Sequence, residues 1–552
     1  MSEAKIYVKS ITFNDGNTYE FDHSDIIVFT GANNSGKSQV LHDIMNYFSN
    51  KNIPRIVANN IILENTGDIE ELKSKCVNRN GMYFLGRINI YHPDSLNEMW
   101  NNKDLHQIAP YFVNHLSTEN RLQAASPIRA FDAVNDNPLN PIQELYINDK
   151  KEAELSTLFH QAFNTDIIIN RGAGSMIPIH VGQTPVKESG EDRVSIAYLS
   201  KLKELPQIQN QGDGMRSFTG ILLDTFTSNH SITLIDEPEA FLHPPQARLL
   251  GKMLVKNSPC SRQLFISTHS EDFLKGLLDT DNKNIKVIRI NRVDNINHMN
   301  ILNNKEITTF WNDSILRYSN ILSGLFHSKV VICESDTDCR FYQAMLNTIH
   351  NEDEVGSDIL FTHCGGKQRL KTVISALKSL NVKTITIADI DILNDCTTFR
   401  EVTESTGIKW TDIETYWTII NGYVKDQRAQ LETSEVKQQI EQILGKVTVQ
   451  QLPVSIADNI KKVIKLSSAW SKVKETGKSF FTGESYKAFL SLYDICKKNG
   501  LLIVPVGELE CFYKPDSNHG TKWVNNVLET VNLKNNPELN DARKFVEEIL
   551  TI

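Results

Sequence analysis

Two groups of residues in this chain have the types and spacing to do chemistry on phosphates. The first begins with Gly31-Ala32-Asn33-Asn34-Ser35-Gly36-Lys37-Ser38, preceded by the apolar run Ile26 to Phe29. Glycines at both ends of such a loop let successive N–H groups and a helix N-terminus converge on one anion. The lysine then reaches the outer phosphates and the hydroxyl is offered to Mg2+. Gly31, Asn33, Asn34, Ser35, Gly36, Lys37 and Ser38 are therefore candidate nucleotide-binding residues. Farther along, Ile232 to Ile235 is an apolar strand ending in Asp236 and Glu237. An acid there can hold Mg2+ through water, together with Ser38, and the next carboxylate can polarise the water attacking the outer phosphate. Gln263 to Ser267 is a third such strand, leading to His269 on the same expected rim.

The second group consists of acids at the ends of successive apolar runs. Lys329 to Cys333 leads into Glu334 and Asp338, Thr384 to Ala388 into Asp389 and Asp391, and Leu501 to Val506 into Glu508 and Glu510. Acids at one strand end are commonly just solvated. Repeated in an alternating strand and helix pattern, they place carboxylates along one edge of a parallel sheet. Oxygen ligands suit Mg2+ or Mn2+, and paired ions of this kind stabilise the attacking and leaving oxygens of phosphodiester cleavage.

The elements that must hold these residues are legible around them. Val40, Leu41, Ile44, Met45 and Phe48 fall on one helical face after the glycine loop. Alternating residues from Ile6 to Phe21, broken at Asn14-Asp15-Gly16-Asn17, predict a hairpin before it. Gly212 to Phe218 predicts a glycine-rich turn opening a helix through Phe226. Residues 311–324 read as a helical connector, and a mainly helical insertion separates Asp391 from the last strand. In that insertion Lys461, Lys462, Lys465, Lys472, Lys474, Lys478 and Lys487 outnumber the acids and alternate with aromatics, so this face is a candidate for nucleic-acid backbone contacts.

A length of 552 residues requires more than one core. No apolar run is long enough for a bilayer, and the acidic, unsignalled start Met1-Ser2-Glu3 predicts a cytoplasmic protein without membrane association. The 8 cysteines have no zinc-like pairing and read as packing residues. A net charge of −9 excludes a wholly basic nucleic-acid coat but not a local basic face.

The motif order resembles the ATPase domains shared by ABC transporters, structural-maintenance and Rad-type repair proteins. Gly31 to Ser38 matches Walker A, Asp236 and Glu237 match Walker B, His269 matches the switch histidine, and Gly212 to Ser217 resembles a degenerate signature loop. The resemblance implies ATP bound between the P-loop of one copy and the signature loop of another, with Gly214 and Arg216 touching nucleotide. The second half resembles the Toprim fold, with Glu334 as its first-strand glutamate, Asp389 and Asp391 as its paired aspartates, and Ser335 where a glycine is usual. An ATPase fused to a Toprim domain resembles the OLD (overcoming lysogenisation defect) family of nucleases.

This implies an α/β protein with an ABC/SMC-like P-loop ATPase domain over 1–320, carrying a helical, dimerising insertion near 95–165. A Toprim domain over 327–552 follows, with a helical insertion near 400–498. The resemblance also implies Asp338 as second acid of the first motif, Glu508 and Glu510 at a second metal site, and Lys522 stabilising charge at the cleaved phosphate. The expected catalytic set is then Glu237, His269, Glu334, Asp389, Asp391 and Lys522, with ATP, Mg2+ or Mn2+ as cofactors. The expected function is a DNA endonuclease or nickase in anti-phage defence, acting as a homo-oligomer. The family's contexts include a retron reverse transcriptase and its nucleic acid, toward which the length and short Toprim motifs lean, or another defence protein. The rival readings are an SMC/Rad-like DNA-binding ATPase with a non-cleaving Toprim domain, and a Toprim-type RNA nuclease.

Overall fold

The computed structural model describes residues 3–552 except 51, 86–88, 135–137, 187–191, 229, 258–261, 281, 303–319, 350–357, 428–432, 446–451 and 465–468. Most of the expected connector at 311–324 lies outside the described residues, as do Cys260 and Lys465. The chain forms two compact units, Met1–Phe326 and His327–Ile552.

The first unit is built on a six-stranded sheet. Its strand order is Ile296–Leu302, Ile285–Val293, Ile26–Thr30, Gln263–Ser267, Ile232–Asp236, Val113–Leu116, and all neighbours are parallel except the first pair. Every residue of Ile26–Thr30 and Gln263–Ser267 is buried, as expected of central parallel strands covered on both faces. The helix Lys37–Ser49 buries Val40, Leu41, Ile44 and Phe48, with Met45 only partly covered at the edge of the stripe. The expected hairpin is present as Lys5–Phe13 against Thr18–Glu20, and Ala58–Thr66 pairs on the other side of Lys5–Phe13. Val113–Leu116 falls inside the region expected to be a helical insertion and is instead the edge strand of the main sheet. Its residues Val113 and Leu116 are buried there, so the stretch near 95–165 contributes to the core as well as carrying the helices Pro141–Ile147 and Asp149–Phe163.

The second unit has a four-stranded parallel sheet in the order Ile359–His363, Lys329–Cys333, Lys383–Ala388, Leu501–Ile503. The helices Asp336–Asn347, Thr521–Thr530 and Asn540–Thr551 pack together through Phe341, Tyr342, Trp523, Phe545 and Val546. The last strand is shorter than its apolar run suggests. Val504 still donates to Ala388 O, but Pro505 has no N–H, so the ladder stops there and Gly507 turns the chain at φ 121. The insertion is helical, with Trp410–Asp426 packed on Gly483–Lys498. Cys333, Cys339, Cys364 and Cys496 are buried as expected, whereas Cys396 is exposed at the start of the helix Cys396–Thr406.

Candidate functional site

In the first unit the glycine loop joins the strand Ile26–Thr30 to the helix Lys37–Ser49. Gly31 has φ 146 and Gly36 has φ 101, and a Cβ on Gly31 would overlap the Ile290 carbonyl oxygen. Both positions therefore require glycine. Asn34, at φ 61, occupies the left-handed region that asparagine tolerates better than most residues. From the hairpin Ile285–Leu302, Asn297 Nδ2 donates to Ser35 O at 2.6 Å, and Asn14 Nδ2 donates to Asn297 Oδ1 at 2.8 Å. Lys37 is buried and donates to the carbonyls of Gly31 and Ala32 at 3.0 and 2.9 Å.

Ser38 Oγ donates to Asp236 Oδ1 at 2.8 Å, so the hydroxyl and carboxylate expected to share an ion already meet. Ser35 Oγ is buried without a hydrogen-bond partner, and Asn33 is exposed on the loop. A buried orphan hydroxyl beside converging N–H groups fits a phosphate, and the Ser38–Asp236 pair fits Mg2+.

Glu237 lies at φ 47, an uncommon backbone for a glutamate, and is held there from both sides. Its N–H donates to Ser267 O at 3.0 Å, and Arg121 Nη2 donates to its carbonyl at 3.1 Å. His269 Nδ1 lies 3.3 Å from Glu237 and 3.5 Å from Glu239. Glu239 is buried and accepts from Thr268 Oγ1 and His269 N at 2.9 and 3.0 Å, so it fixes the segment that presents the histidine.

Arg121 is fully buried and ties this centre to the helix Asp213–Thr227. Its guanidinium donates to Ser217 Oγ, to the carbonyls of Leu116 and Glu237, and closely to the carbonyl of Asp236. Gly214 and Arg216, expected in a loop, sit in the first turn of that helix, which starts at Asp213. Arg216 pairs with Asp213 at 2.8 Å, and a Cβ on Gly214 would press on the Phe241 carbonyl. No hydrogen bond joins either residue to the P-loop of the same chain among the described residues. Arg121→Leu is expected to cost about 3 kcal/mol or more, because the Leu116, Asp236 and Glu237 carbonyls lose their donor inside the fold. Urea denaturation measures this, and Arg121→Lys should not restore the loss, since one ammonium cannot replace a planar fork.

In the second unit the expected acids converge at the end of the sheet. Glu334 Oε1 accepts from the Asp389 N–H at 3.2 Å, which joins the ends of adjacent strands. Ser335, standing where a glycine is usual, has φ −133 and caps the helix Asp336–Asn347. Its N–H donates to Asp338 Oδ2 at 2.9 Å, so no left-handed residue is needed there and Asp338 serves partly as a cap. Asp391 pairs with Lys367 at 3.2 Å and with Lys474 at 3.5 Å, and Lys474 also reaches Glu508 at 3.0 Å. Ligand atoms of Glu508, Glu510 and His519 lie within 4.8 Å of one another, and Glu510 accepts from the Gly520 N–H at 2.7 Å.

Burial pushes the Glu334 carboxyl up to about 7; Asp391 and Asp338 add to this, and the Asp389 N–H opposes it. Burial, then Glu334 itself, holds Asp389 well above the usual carboxylate range, and burial also raises Asp338. Buried oxygen donors that resist joint ionisation fit a divalent cation, whose charge would relieve them.

Without metal, Glu334 takes up a proton on folding, because its folded pKa of about 7 exceeds its unfolded value. Its ionisation therefore penalises the fold, and stability falls as pH rises from the unfolded pKa through about 7. Between about pH 5 and 8 this one group is expected to remove roughly 2–3 kcal/mol in EDTA. Denaturation at several pH values measures the slope, which Glu334→Gln should largely abolish.

Lys522 is exposed at the start of the helix Thr521–Thr530, and no ion pair joins it to these acids among the described residues. The lysines that pair with the acids are Lys367, from the Gly365-Gly366-Lys367 turn, and Lys474, from the insertion. The expected lysine face is reduced accordingly. Lys461 pairs with Asp458, Lys474 faces the acids, the side chain of Lys462 lies outside the described set with Lys465, and Lys472, Lys478 and Lys487 are exposed.

Comparison with known proteins finds two matched stretches in the chain. Residues 81–274 match the family described as "AAA domain, putative AbiEii toxin, Type IV TA system", a stretch that holds Asp236, Glu237 and His269 but begins after the P-loop. Residues 325–391 match "Overcoming lysogenization defect protein-like, TOPRIM domain", which includes Glu334, Asp338, Asp389 and Asp391. The Old nuclease of Escherichia phage P2 is 25% identical over 222 residues, 39% of this chain and 37% of its own length, so the chain spans well under half of that relative. Among solved structures, an Smc head bound to the C-terminal winged-helix domain of ScpA aligns with a TM-score of 0.34 at 12% identity, over 54% of this chain and 98% of that one. The SMC head domain from Thermotoga maritima aligns with a TM-score of 0.28 at 13% identity over the same shares. No helix among the described residues is long and apolar enough to cross a membrane. The chain is an α/β protein with the architecture of the OLD family, a P-loop ATPase domain followed by an OLD-like Toprim domain.

Proposed function

We propose that this protein is an ATP-binding, divalent-metal-dependent DNA endonuclease or nickase of the OLD type. The observation that carries the reading is the gathering of Glu334, Asp389 and Asp391 at one end of the Toprim sheet, with Asp338, Glu508 and Glu510 beside them. Mg2+ or Mn2+ held by Glu334, Asp389 and Asp391 would activate the attacking water and offset charge on the phosphate. The residues' own part is to present oxygens from rigid strand ends, with Asp338 fixing the turn that carries Glu334. In the ATPase unit Lys37, Ser38 and Asp236 would bind Mg-ATP, and Glu237, oriented with His269, would polarise water. Gly214 and Arg216 would meet nucleotide only from a second copy, so the active form is a homo-oligomer.

The test offers supercoiled plasmid and a structured RNA in competition, with Mg2+, Mn2+ or EDTA. Preferential, metal-dependent nicking of the plasmid is expected. Preferential loss of the RNA would favour an RNA nuclease, and binding without cleavage would favour a repair-type ATPase. The anti-phage role rests on the resemblance alone, as does a partner such as a reverse transcriptase with its retron nucleic acid. Phage plaque counts on cells expressing the protein, with co-purification of bound protein and nucleic acid, test both.

A further inference from the structure

The helical insertion delivers one charged side chain to the Toprim acids, and its delivery is unusually constrained. The helix Ala469–Thr476 buries Trp470 and Val473 and leaves Lys474 on the side facing the sheet edge. The Lys474 carbonyl lies so close to Gly507 that a Cβ there could not fit, and it accepts from Cys511 Sγ at 3.3 Å. Three residues on, Gly477 packs equally closely on Pro505 and Val506, and the Lys478 N–H donates to Pro505 O at 2.8 Å. Both glycines have positive φ, 62 at Gly477 and 121 at Gly507. Insertion and acid-bearing loop are thus docked backbone to backbone at the lysine and three to four residues beyond it. An ordinary surface ion pair gains little, because a long side chain must be ordered to make it. Here the backbone under the lysine is already fixed, and its ammonium meets two carboxylates, Glu508 at 3.0 Å and Asp391 at 3.5 Å.

We propose that Lys474 is the resident second cation of this centre. Its ammonium sits at Asp391 Oδ2 and Glu508 Oε2, so the centre takes up one exchangeable ion, at Glu334, Asp389 and the other Asp391 oxygen. A fixed monovalent charge between two carboxylates offsets half of their charge and repels an arriving dication. The inference rests on the Toprim reading above, but it concerns ion uptake and can be tested without cleavage.

The experiment is Mn2+ titration of the full chain by calorimetry, without nucleotide or DNA. The parent, Lys474→Met, Lys474→Arg, Asp389→Asn and Glu508→Gln are compared, with thermal unfolding as the check on folding. Asp389→Asn is expected to lose one ion relative to the parent, and Glu508→Gln to lose none. Lys474→Met should gain one ion that Lys474→Arg does not gain. The inference is overturned if Lys474→Met binds the same number of ions as the parent. It is also overturned if Glu508→Gln loses an ion, a result that stands even should Lys474→Met fail to fold. Absence of Mn2+ uptake by the parent overturns both this inference and the nuclease reading. A gained ion in Lys474→Met, with no plasmid nicking by the parent, leaves the inference standing and removes only the nuclease reading.

Discussion

Asp389→Ala, and separately Glu334→Ala, will reduce DNA cleavage on the order of a thousandfold or more while leaving ATP binding intact. The two side chains occupy adjacent strand ends, where the Asp389 N–H donates to Glu334 at 3.2 Å, so one ion can reach both. Losing either ligand removes positive charge where negative charge develops on the phosphate, and no neighbouring donor can replace it. The fold should not suffer. Burial pushes both carboxyls toward their neutral forms, with Asp391 and Asp338 adding to this at Glu334 and Glu334 adding to it at Asp389, so removing one acid relieves the metal-free protein. A metal-free stability gain of about 1 kcal/mol near pH 8 is expected, with a smaller Mn2+-induced rise in Tm than in the parent. Loss of cleavage with marked destabilisation would instead mark these residues as structural.

Lys37→Ala will weaken ATP binding by about a hundredfold, the scale of a charge-assisted hydrogen bond to phosphate. The ammonium is buried in the glycine loop and donates to the Gly31 and Ala32 carbonyls, so its loss removes both the charge and part of the loop's internal support. Calorimetric titration with Mg-ATP checks this, and undiminished affinity would remove the loop from nucleotide binding. The Toprim acids belong to the other unit, so metal uptake there should be unchanged.

The motif residues were readable because strand ends and glycine loops impose local rules. Gly31 and Gly36 hold backbone conformations that other residues avoid, and the acids follow buried apolar strands whose alternation with helices implies a parallel edge. What was not readable came from residues whose role depends on distant chain. Arg121 belongs to no motif, yet it joins the Walker B carbonyls to Ser217 across almost a hundred positions. Asn297 supports the P-loop from a hairpin some 260 residues away. Lys474 reads in sequence as one of several lysines on a nucleic-acid-contacting face, and its direction comes from the close glycine contacts just after its helix and on the facing loop. The last strand is shorter than its apolar run because Val504 and Val506 continue the pattern around Pro505, where the ladder stops. The helical pattern near 95–165 hid the short strand Val113–Leu116, whose few residues carry little periodic signal.

Glu334 and Asp389 are proposed to form a phosphodiester-cleaving metal centre. The most direct measurement is the conversion of supercoiled plasmid to nicked circles by the purified protein in Mn2+, with EDTA and Asp389→Asn alongside. Nicking by the parent alone, abolished by EDTA and by the single substitution, is the predicted result. Nicking by Asp389→Asn at the parental rate, or by the parent in EDTA, would contradict it.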